Sequence, residues 1–561
     1  MTGASGAAAS ADVVELVSSG GRAAQALSEA VRGSGTGGVG VSELVRAAAP
    51  YAGDPVWANE FITALGADNL TGLPLAGAVA DGQALAHLLG RILATASTTW
   101  NEDTRGSMAA AVAGSVADKG EWGRITALNA ILTAPAADTE ADTTGAEAVG
   151  AGGGEQADSA ADADDAFAPG FLTALADELA GIDPDTIRRY RGYANTSYPD
   201  LTHFGKQAIG GYLTGNSFDP LTGVLEAIAT HPQTALDYLT GTAGDADRPR
   251  FKQLSQRQWD QQGLAAYTTA IAAATTQRTS TSPDTRQQAD QLAGQAITYL
   301  AASTTEDQYT PATERAIANL LANSPAEVTC ALNQDNPYKS WRTPTCDHAD
   351  SWFERQPSIY EPVDPAPITA LAWRITDTPE TTSTIANALA EHARTQAQTN
   401  LNTTTSPKPG TVNDDYDPRV DAINIPYQRA VYAISYLAGL TENKTGTNTY
   451  NHALITGHTN DDNQLSAMAI QDAANAGLLN PEDYTITGDS SKTYTWIVTR
   501  PDGTHTIDLS QADDPTMAAG EVSAWVRMVQ AATGDYVFKD ITDDFSGSYT
   551  RGYDLGSKYG G

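Results

Sequence analysis

Prolines that directly follow a helix-capping side chain are the feature that most constrains this fold. Such pairs occur at Asp54-Pro55, Asp183-Pro184, Asp219-Pro220, Thr310-Pro311, Ser324-Pro325 and Thr378-Pro379. The capping oxygen can accept a hydrogen bond from the first helical turn, and proline has no amide hydrogen to leave unsatisfied there. Each pair therefore predicts the start of a helix, and the series predicts a string of short helices.

Apolar residues after several of these pairs, and between them, recur with the helical period. Three clear stripes are Leu85, Leu88, Leu89 and Ile92; Ala316, Ile317, Leu320 and Leu321; and Ile368, Leu371, Ala372 and Ile375. Spacings of three and four residues place such side chains on one face of a helix, where they pack into a core. Segment 219–228 combines both signals, because Asp219 is expected to cap a helix whose apolar face begins at Leu221.

The last eighty residues depart from this pattern. Residues 493–498 read Thr-Tyr-Thr-Trp-Ile-Val, residues 504–509 alternate in polarity, and Pro501-Asp502-Gly503 lies between them. Strand-forming residues on both sides of a short turn predict a β-hairpin. A helix over 516–533, ended by Gly534, is expected to follow. The predicted fold class is mostly α: a multi-unit helical array with a small C-terminal β-hairpin.

Composition suggests how the chain is divided. Residues 136–165 carry many acidic residues and no basic ones, so they bury too little apolar surface to offset the entropy of ordering and are predicted to form a disordered linker. The full predicted division is 1–50, an N-terminal helical segment; 51–135, a helical unit; 136–165, the acidic linker; 166–335, a helical unit; 336–366, a loop with a cysteine pair; 367–480, a helical unit; and 481–561, the hairpin, C-terminal helix and tail.

A short internal repeat accompanies this division. The segment Phe-Ile-Thr-Ala-Leu at 61–65 matches Phe-Leu-Thr-Ala-Leu at 171–175. The match suggests two related helical units on either side of the acidic linker.

Charge narrows the classes of partner. The chain has 68 acidic against 33 basic residues, a formal net charge of -35. Phosphate backbones and anionic headgroups are held mainly by Lys and Arg, so nucleic acid and membrane surfaces are poor candidate partners. The most apolar segment, 84–96, contains His87 and Arg91 and is shorter than the roughly 20 residues of a membrane helix. No membrane insertion is therefore expected.

The first twelve residues bear on localisation. They contain no basic residue and no apolar run, whereas a secretory signal peptide has a cationic start followed by a hydrophobic stretch. We therefore expect neither a signal peptide nor a transmembrane helix. The protein is expected to be cytoplasmic, or exported by a route other than general secretion.

Three short segments carry a likeness to a known family. They are 61–66 (Phe-Ile-Thr-Ala-Leu-Gly), 89–96 (Leu-Gly-Arg-Ile-Leu-Ala-Thr-Ala) and 219–227 (Asp-Pro-Leu-Thr-Gly-Val-Leu-Glu-Ala). Through them the span 54–333 resembles an uncharacterised actinobacterial family defined only as a domain of unknown function. The resemblance implies an association with WXG-type, type VII secretion loci, and it implies no catalytic residues.

A loose type VII export tag, Tyr-x-x-x-Asp/Glu, also occurs in the chain. It is found at 360–364 and at 536–540, and only the second follows a predicted helix, as such a tag should.

The clearest basic and aromatic cluster consists of Arg188, Arg189, Tyr190, Arg191 and Tyr193. Arginine pairs bidentately with carboxylates, so this cluster could bind an acidic protein partner or the acidic linker. A solvated helix end is the alternative interpretation. The sequence does not identify the partner.

The two cysteines, Cys330 and Cys346, flank a loop that contains Asn336, Pro337 and Pro344. In an oxidising compartment the thiols could pair, and closing a loop of about 15 residues would contribute roughly 3 kcal/mol in the chain-entropy model. Two reduced cysteines are the alternative.

Metal and cofactor signals are weak. Gly33 to Gly38 fits G-x-G-x-x-G but follows a predicted helix instead of a strand, so no dinucleotide site is expected. Asn413-x-Asp415-x-Asp417 begins like a calcium loop, yet its sixth position is Pro418 instead of Gly. A second set could approach a metal or lie in a polar surface loop: His452, His458, Asp461 and Asp462. Neither a metal nor a cofactor is predicted.

The lack of common catalytic motifs guides the functional interpretation of the sequence. The motifs G-x-S-x-G, H-E-x-x-H and the P-loop are not found in the sequence, which favours a non-enzymatic helical scaffold or interaction protein linked to type VII-type secretion. The alternatives are an exported effector whose activity lies in the C-terminal region from about residue 415, and a self-assembling surface protein.

Overall fold

The computed structural model describes a mainly helical chain with one small hairpin. It covers residues 11–33, 39–76, 79–117, 123–143, 166–182, 217–242, 249–333, 365–404, 417–447, 449, 453–456, 461–486, 493–534, 537–542 and 545–560. The predicted fold class is confirmed within these residues. In the described part of the chain, no helix is both long and apolar enough to cross a membrane.

The chain divides into two compact units. The first comprises Met1–Gly150, Glu155–Leu292 and Gln308–Thr313, and the second comprises Ala151–Gly154, Ala293–Asp307 and Glu314–Gly561. The predicted division into seven segments was made on composition and remains a prediction.

The helices of the first unit are short to medium in length. They are α1 (Ala11–Leu16), α2 (Gly20–Val31), α3 (Val41–Ala48), α4 (Pro55–Ala76, interrupted at Gly66), α5 (Val79–Thr99), α6 (Glu102–Ala117), α7 (Gly123–Thr143), α8 (Pro169–Ala180), α9 (Thr222–Ala229), α10 (Pro232–Thr240), α11 (Arg250–Leu254) and α12 (Gln261–Thr275). Helices α13 (Pro283–Ser303) and α14 (Pro311–Ala322) each contribute residues to both units.

The remaining elements belong to the second unit. They are α15 (Pro325–Leu332), α16 (Pro365–Ile375), α17 (Pro379–Thr403), α18 (Pro418–Thr445), α19 (Asp461–Asn475), strands β1 (Ile497–Thr499) and β2 (His505–Ile507), and helices α20 (Pro515–Thr533), α21 (Val537–Ile541) and α22 (Phe545–Gly556).

The three apolar stripes found in the sequence are buried in α5, α14 and α16, as predicted.

Most of the predicted helix starts are confirmed. Helices begin at Pro55, Pro311, Pro325 and Pro379, whereas Asp183-Pro184 lies outside the described residues. Only some of the preceding side chains act as caps. Asp54 accepts the amide of Val56 at 2.9 Å, but the Ser324 hydroxyl donates to the carbonyl of Leu320 instead. Proline therefore predicts the start of a helix more reliably than it predicts the capping bond.

The helix predicted to start after Asp219 begins later, at Thr222, so this N-cap assignment is wrong. Asp219 is fully buried, and the Nε and Nη2 atoms of Arg257 donate to its two oxygens at 2.7 and 3.0 Å. Its Oδ1 also accepts the amide of Leu221 at 3.0 Å. A buried carboxylate needs paired charge, and arginine supplies two charge-assisted bonds where a cap supplies neutral amides.

Asn129 on α7 ties the same segment to the rest of the first unit. Its amide nitrogen donates to the carbonyls of Ser217 and Asp219 at 2.9 and 3.0 Å, and its oxygen accepts the amide of Gly223 at 2.9 Å. A Cβ atom at Gly223 would lie 2.7 Å from the Cα of Asn129. Glycine is therefore required where α9 approaches α7.

Both flanks of the acidic segment belong to the first unit. Helix α7 continues to Thr143, so residues 136–143 of the predicted linker are helical, and 144–165 lie outside the described residues. On the far side, the amide of Ala168 donates to Ser97 at 2.8 Å, and the rings of Phe171 and Trp100 are 5.4 Å apart. The acidic segment therefore interrupts one compact unit, whereas the sequence suggested a linker between two.

Glycines allow two helices of the second unit to approach closely. Helices α18 and α22 pack against each other, and Gly552 faces the carbonyl of Tyr432 while Gly556 faces that of Tyr436. A Cβ atom at either glycine would overlap these backbone atoms. Helix α22 can therefore approach α18 this closely because glycine occupies these two positions of its contact face.

The β-hairpin is confirmed, although its strands are shorter than predicted. Strands β1 and β2 are antiparallel, with Ile497 opposite Ile507, and Gly503 in the turn has a φ of 85°. The strands are short because Tyr494 and Trp496 turn into an aromatic core before β1 begins.

The close approach of α18 and α22 can be tested by adding one methyl group. We expect Gly552→Ala to lower the free energy of unfolding by about 1–3 kcal/mol, because an overpacked contact forces the backbones apart. Denaturant unfolding followed by circular dichroism measures this. Gly520→Ala on α20 is the matched control, since a Cβ there has no atom within 4 Å. Equal stability of the two variants would contradict this account of the contact.

Candidate binding cleft

A cleft of about 330 Å³ lies between helices α19, α20 and α21 of the second unit. Its lining residues are Asn463, Ser466, Ala467 and Ile470 on α19; Val522, Ser523, Val526, Arg527 and Gln530 on α20; and Lys539 and Thr542 on and just after α21. This volume falls at the lower end of the range for ligand pockets in proteins.

Helical periodicity explains why these residues share one surface. The α19 residues are spaced by three, one and three positions, and Val522, Val526 and Gln530 on α20 recur every fourth residue. Such spacings place side chains along one face of each helix. The Ser523 hydroxyl donates to Oδ1 of Asn463 at 3.2 Å and so joins the two faces.

The cleft has an apolar floor and a cationic rim. Ala467, Ile470 and Val522 are buried, whereas Arg527 and Lys539 are exposed. The lining residues that the structure describes include no carboxylate, and neither cation forms an ion pair with a described residue. The other lining side chains are mostly amides and hydroxyls, which are hydrogen-bonding groups. The arrangement is suited to a ligand that carries both negative charge and apolar surface.

An aromatic core behind the cleft holds the rim in place. Trp525 of α20 is fully buried and meets Trp496 and Phe538 edge-on, with ring centroids 5.6 and 5.4 Å apart. Its indole nitrogen donates to the carbonyl of Ile486 at 3.1 Å. Because Arg527 follows Trp525 by two residues and Lys539 follows Phe538 directly, the packed rings fix where the two cations emerge.

Tyr484 completes this core. Its ring stacks on Trp525 with centroids 6.2 Å apart. Burial raises the pKa of Tyr484 to about 12. The phenol therefore stays neutral at physiological pH and serves as packing.

The opposite side of α19 is anchored to α18 by a buried hydrogen bond. The Tyr427 hydroxyl donates to Oδ2 of Asp472 at 2.7 Å. Burial raises the pKa of Asp472, an effect that its hydrogen bonds from Tyr427 and Gln398 only partly offset. At the start of α19, Asp461 accepts the amides of Leu454 and Ile455. These polar contacts secure the wall of the cleft.

The structure tests little of the site predicted from the sequence. All five residues of the basic and aromatic cluster lie outside the described residues: Arg188, Arg189, Tyr190, Arg191 and Tyr193. Cys330 lies on α15, but Cys346 is outside as well. Partner binding by the cluster and the Cys330–Cys346 disulfide therefore remain predictions.

The structure locates some of the residues that form the weak metal and cofactor motifs. His452 and His458 lie outside the described residues, and Asp461 is occupied by backbone amides. Asp417 caps α18 by accepting the amide of Arg419 at 2.9 Å. Gly33, with a φ of 70°, follows the C-terminal end of α2. Within the described residues, no three His, Cys, Asp or Glu side chains form a group that could hold a metal.

The cleft itself was missed by sequence reasoning. Arg527 and Lys539 are twelve positions apart in the sequence and form no recognisable motif. One feature of the sequence could have indicated the cleft. Arg527 and Lys539 are two cations in a strongly acidic chain, and Arg527 lies on a predicted helix that also carries Ser523 and Gln530 on nearby turns.

Comparison with known proteins establishes a family. Residues 6–453 match a family model described as "Family of unknown function (DUF6571)". The match spans most of the chain, so the protein belongs to this family, and it extends beyond the span 54–333 on which the resemblance rested. Every described residue that lines the cleft comes after residue 453. No curated protein and no solved structure matches the chain.

A separate ionisable group lies in the first unit. Burial raises the pKa of Glu226 on α9 from 4.5 to about 7, and its carboxyl has no hydrogen bond or ion pair with a described residue. The folded state therefore holds this proton over a pH range in which the unfolded chain releases it.

This shift makes stability depend on pH. Because the folded-state pKa is raised, we expect the free energy of unfolding to fall as the pH rises from about 4.5 to 7, by at most about 3 kcal/mol. Glu226→Gln should remove this contribution and raise the melting temperature of the first unit at pH 8 but not at pH 4.5. Calorimetry at the two pH values measures the effect, with the exposed Glu60→Gln as control. A pH profile that Glu226→Gln leaves unchanged would refute the assignment.

The aromatic core gives a second test. Phe538→Ala should cost about 3–5 kcal/mol of unfolding free energy, because a cavity opens beside Trp525. The matched control is Met517→Ala, since Met517 is 54% exposed. Tryptophan fluorescence during denaturant unfolding reports both variants, and a loss no larger for Phe538→Ala than for Met517→Ala would contradict this role of the core.

Proposed function

We propose that this protein is a non-enzymatic, mainly helical interaction protein linked to a type VII-type secretion system, and that it binds a partner in the cleft. The observation that carries the proposal is the composition of the lining. An apolar floor, amide and hydroxyl groups and two cations without an ion pair to a described residue surround one cavity, and the described lining residues include no carboxylate, histidine or cysteine. Such a set can bind and orient a partner, and the described lining holds no histidine or carboxylate that could activate the hydroxyls of Ser466, Ser523 or Thr542 as nucleophiles.

The two parts of the lining would contribute differently to binding. Burial of Ile470 and Val522 by a partner would supply non-directional affinity. Arg527 and Lys539 would supply orientation and discrimination between partners, because charge complementarity governs specificity and association rate more than affinity. Since the whole chain carries a charge of -35, anionic partners are repelled at long range except where local cations face them.

The link to secretion rests on the sequence. The resemblance to an actinobacterial family associated with WXG-type loci supports it, as does the Tyr-x-x-x-Asp pattern at 536–540. Asp540, the last residue of the pattern, is exposed on α21 directly after Lys539. Tyr536 lies outside the described residues.

Purification of the full chain from its native host tests the interaction function. We expect a WXG-type protein, or another component of a type VII system, to copurify with the tagged full-length protein. Quantitative mass spectrometry measures the enrichment against an unrelated acidic helical bait prepared in the same way. No type VII component enriched over that bait would count against the proposal.

A second candidate is an exported effector whose activity lies in the C-terminal region. It is favoured by one observation: the cleft lies after residue 453, beyond the matched family span. In this case the protein should reach the culture medium, and Tyr536→Ala should retain it in the cells. Tyr360→Ala, in the match that follows no predicted helix, is the paired control. Immunoblots of the cytosol, envelope and medium measure how much of each variant is exported. Equal export of Tyr536→Ala and Tyr360→Ala would argue against an export tag at 536–540.

Activity of such an effector would appear as toxicity. Full-length protein produced in the cytosol should slow growth, and His452→Ala or His458→Ala should relieve the effect. A harmless full-length protein would leave the interaction function as the better account.

A further inference from the structure

We infer that the cleft formed by α19, α20 and α21 takes an acidic, partly apolar segment of a partner protein. One carboxylate of the segment binds at the rim between Arg527 and Lys539, and a neighbouring aliphatic or aromatic side chain enters the cavity against Ala467, Ile470 and Val522. This inference rests on the proposed interaction function and specifies the chemistry of the partner.

Charge is the first argument. Several cations among the described residues pair with carboxylates of the chain itself, as in Arg257–Asp219 at 2.7 Å, Arg278–Asp290 at 2.8 Å and Lys444–Asp377 at 2.9 Å. Arg527 and Lys539 have no such pair among the described residues, although acidic residues outnumber basic ones twofold. Two exposed cations at one rim favour an anion supplied from outside, and arginine binds carboxylates with charge-assisted hydrogen bonds.

The floor is the second argument. Ala467, Ile470 and Val522 are buried at the base of the cavity. A bare inorganic anion would leave this surface unused, whereas a side chain that enters the cavity gains roughly 25 cal/mol for each Å² of apolar surface removed from water. A polyanion such as nucleic acid is further disfavoured by the net charge of -35.

The polar walls are the third argument. Asn463, Ser466, Gln530 and Thr542 present amides and hydroxyls along the cleft. Amide side chains both donate and accept hydrogen bonds, so they suit a peptide backbone, which carries both kinds of group. A free fatty acid has only its carboxylate to offer them. A cavity of about 330 Å³ fits an inserted side chain with its flanking backbone rather than a whole helix.

Selection from a random peptide library tests the inference. The immobilised full-length protein is the bait for 12-residue peptides displayed on phage, and Ser466→Phe, which fills the cavity without changing charge, is used for counter-selection. Enriched peptides are then synthesised with a fluorescent label. Their affinities are measured by anisotropy for the wild type, for the Arg527→Gln/Lys539→Gln double variant, and for Lys558→Gln, an exposed lysine outside the cleft. Circular dichroism confirms that each variant is folded.

We expect the enriched peptides to share an acidic residue next to an aliphatic or aromatic one. The double variant should bind them at least about tenfold more weakly, as the loss of charge-assisted hydrogen bonds implies. Lys558→Gln should bind them as the wild type does. Replacing the acidic residue of a peptide by its amide should weaken binding to the wild type by a similar factor and leave binding to the double variant unchanged.

Three results would overturn the inference. They are the absence of any peptide enriched over counter-selection, enriched peptides that lack acidic residues, and equal binding by the wild type and the double variant. Octanoate is tested in parallel by thermal shift, and stabilisation by octanoate through Arg527 and Lys539 without peptide binding would reassign the cleft to small amphiphiles. If type VII components still copurify with the double variant, the interaction function stands and only the cleft assignment falls.

Discussion

The packing of Trp525 is the interaction on which the candidate site depends. This residue joins α20 to the segment before the hairpin through Trp496 and to α21 through Phe538, and all three side chains are fully buried. The same helix presents its other face to the cleft, so the core and the site share one rigid element. Sites carried on packed helices hold their geometry better than sites on loops, and side chains locked from behind need less ordering when a partner binds. The cleft is therefore preformed by the core behind it.

Different interactions hold the helices together in the two units. In the first unit, hydrogen bonds from buried polar groups such as Asn129 and Asp219 hold α7, α9 and the segment before α12 together. In the second unit, Gly552 and Gly556 let α22 lie directly on α18. Both solutions suit a chain with only 7% aromatic residues, because close backbone approach and buried hydrogen bonds replace bulky core side chains. One of the aromatic clusters, around Trp525, lies behind the cleft and supports it.

Sequence reasoning recovered the elements of the fold more fully than its contacts. Proline after a capping residue located the starts of α4, α14, α15 and α17, because a missing amide donor is a local property of the chain. Asp219 was misassigned because its charged partner, Arg257, is 38 residues away in the sequence, and because the helix begins only at Thr222. The cleft was not predicted from the sequence for the same reason, because Arg527 and Ile470 become neighbours only when α19 and α20 pack against each other. The basic cluster at 188–193 was favoured because its residues are adjacent in sequence, and adjacency can be read directly from a single sequence.

The most direct test of the cleft as a partner-binding site is photo-crosslinking in the native host. A benzoyl-phenylalanine placed at Gln530, which lines the cleft, should form an adduct with one protein, and that protein should contribute an acidic, partly apolar segment to the crosslinked peptide. The same group at Met517, on the exposed surface of α20, should not form this adduct. Identical adducts from the two positions, or no adduct from Gln530 in cells where Met517 reports a partner, would contradict the account.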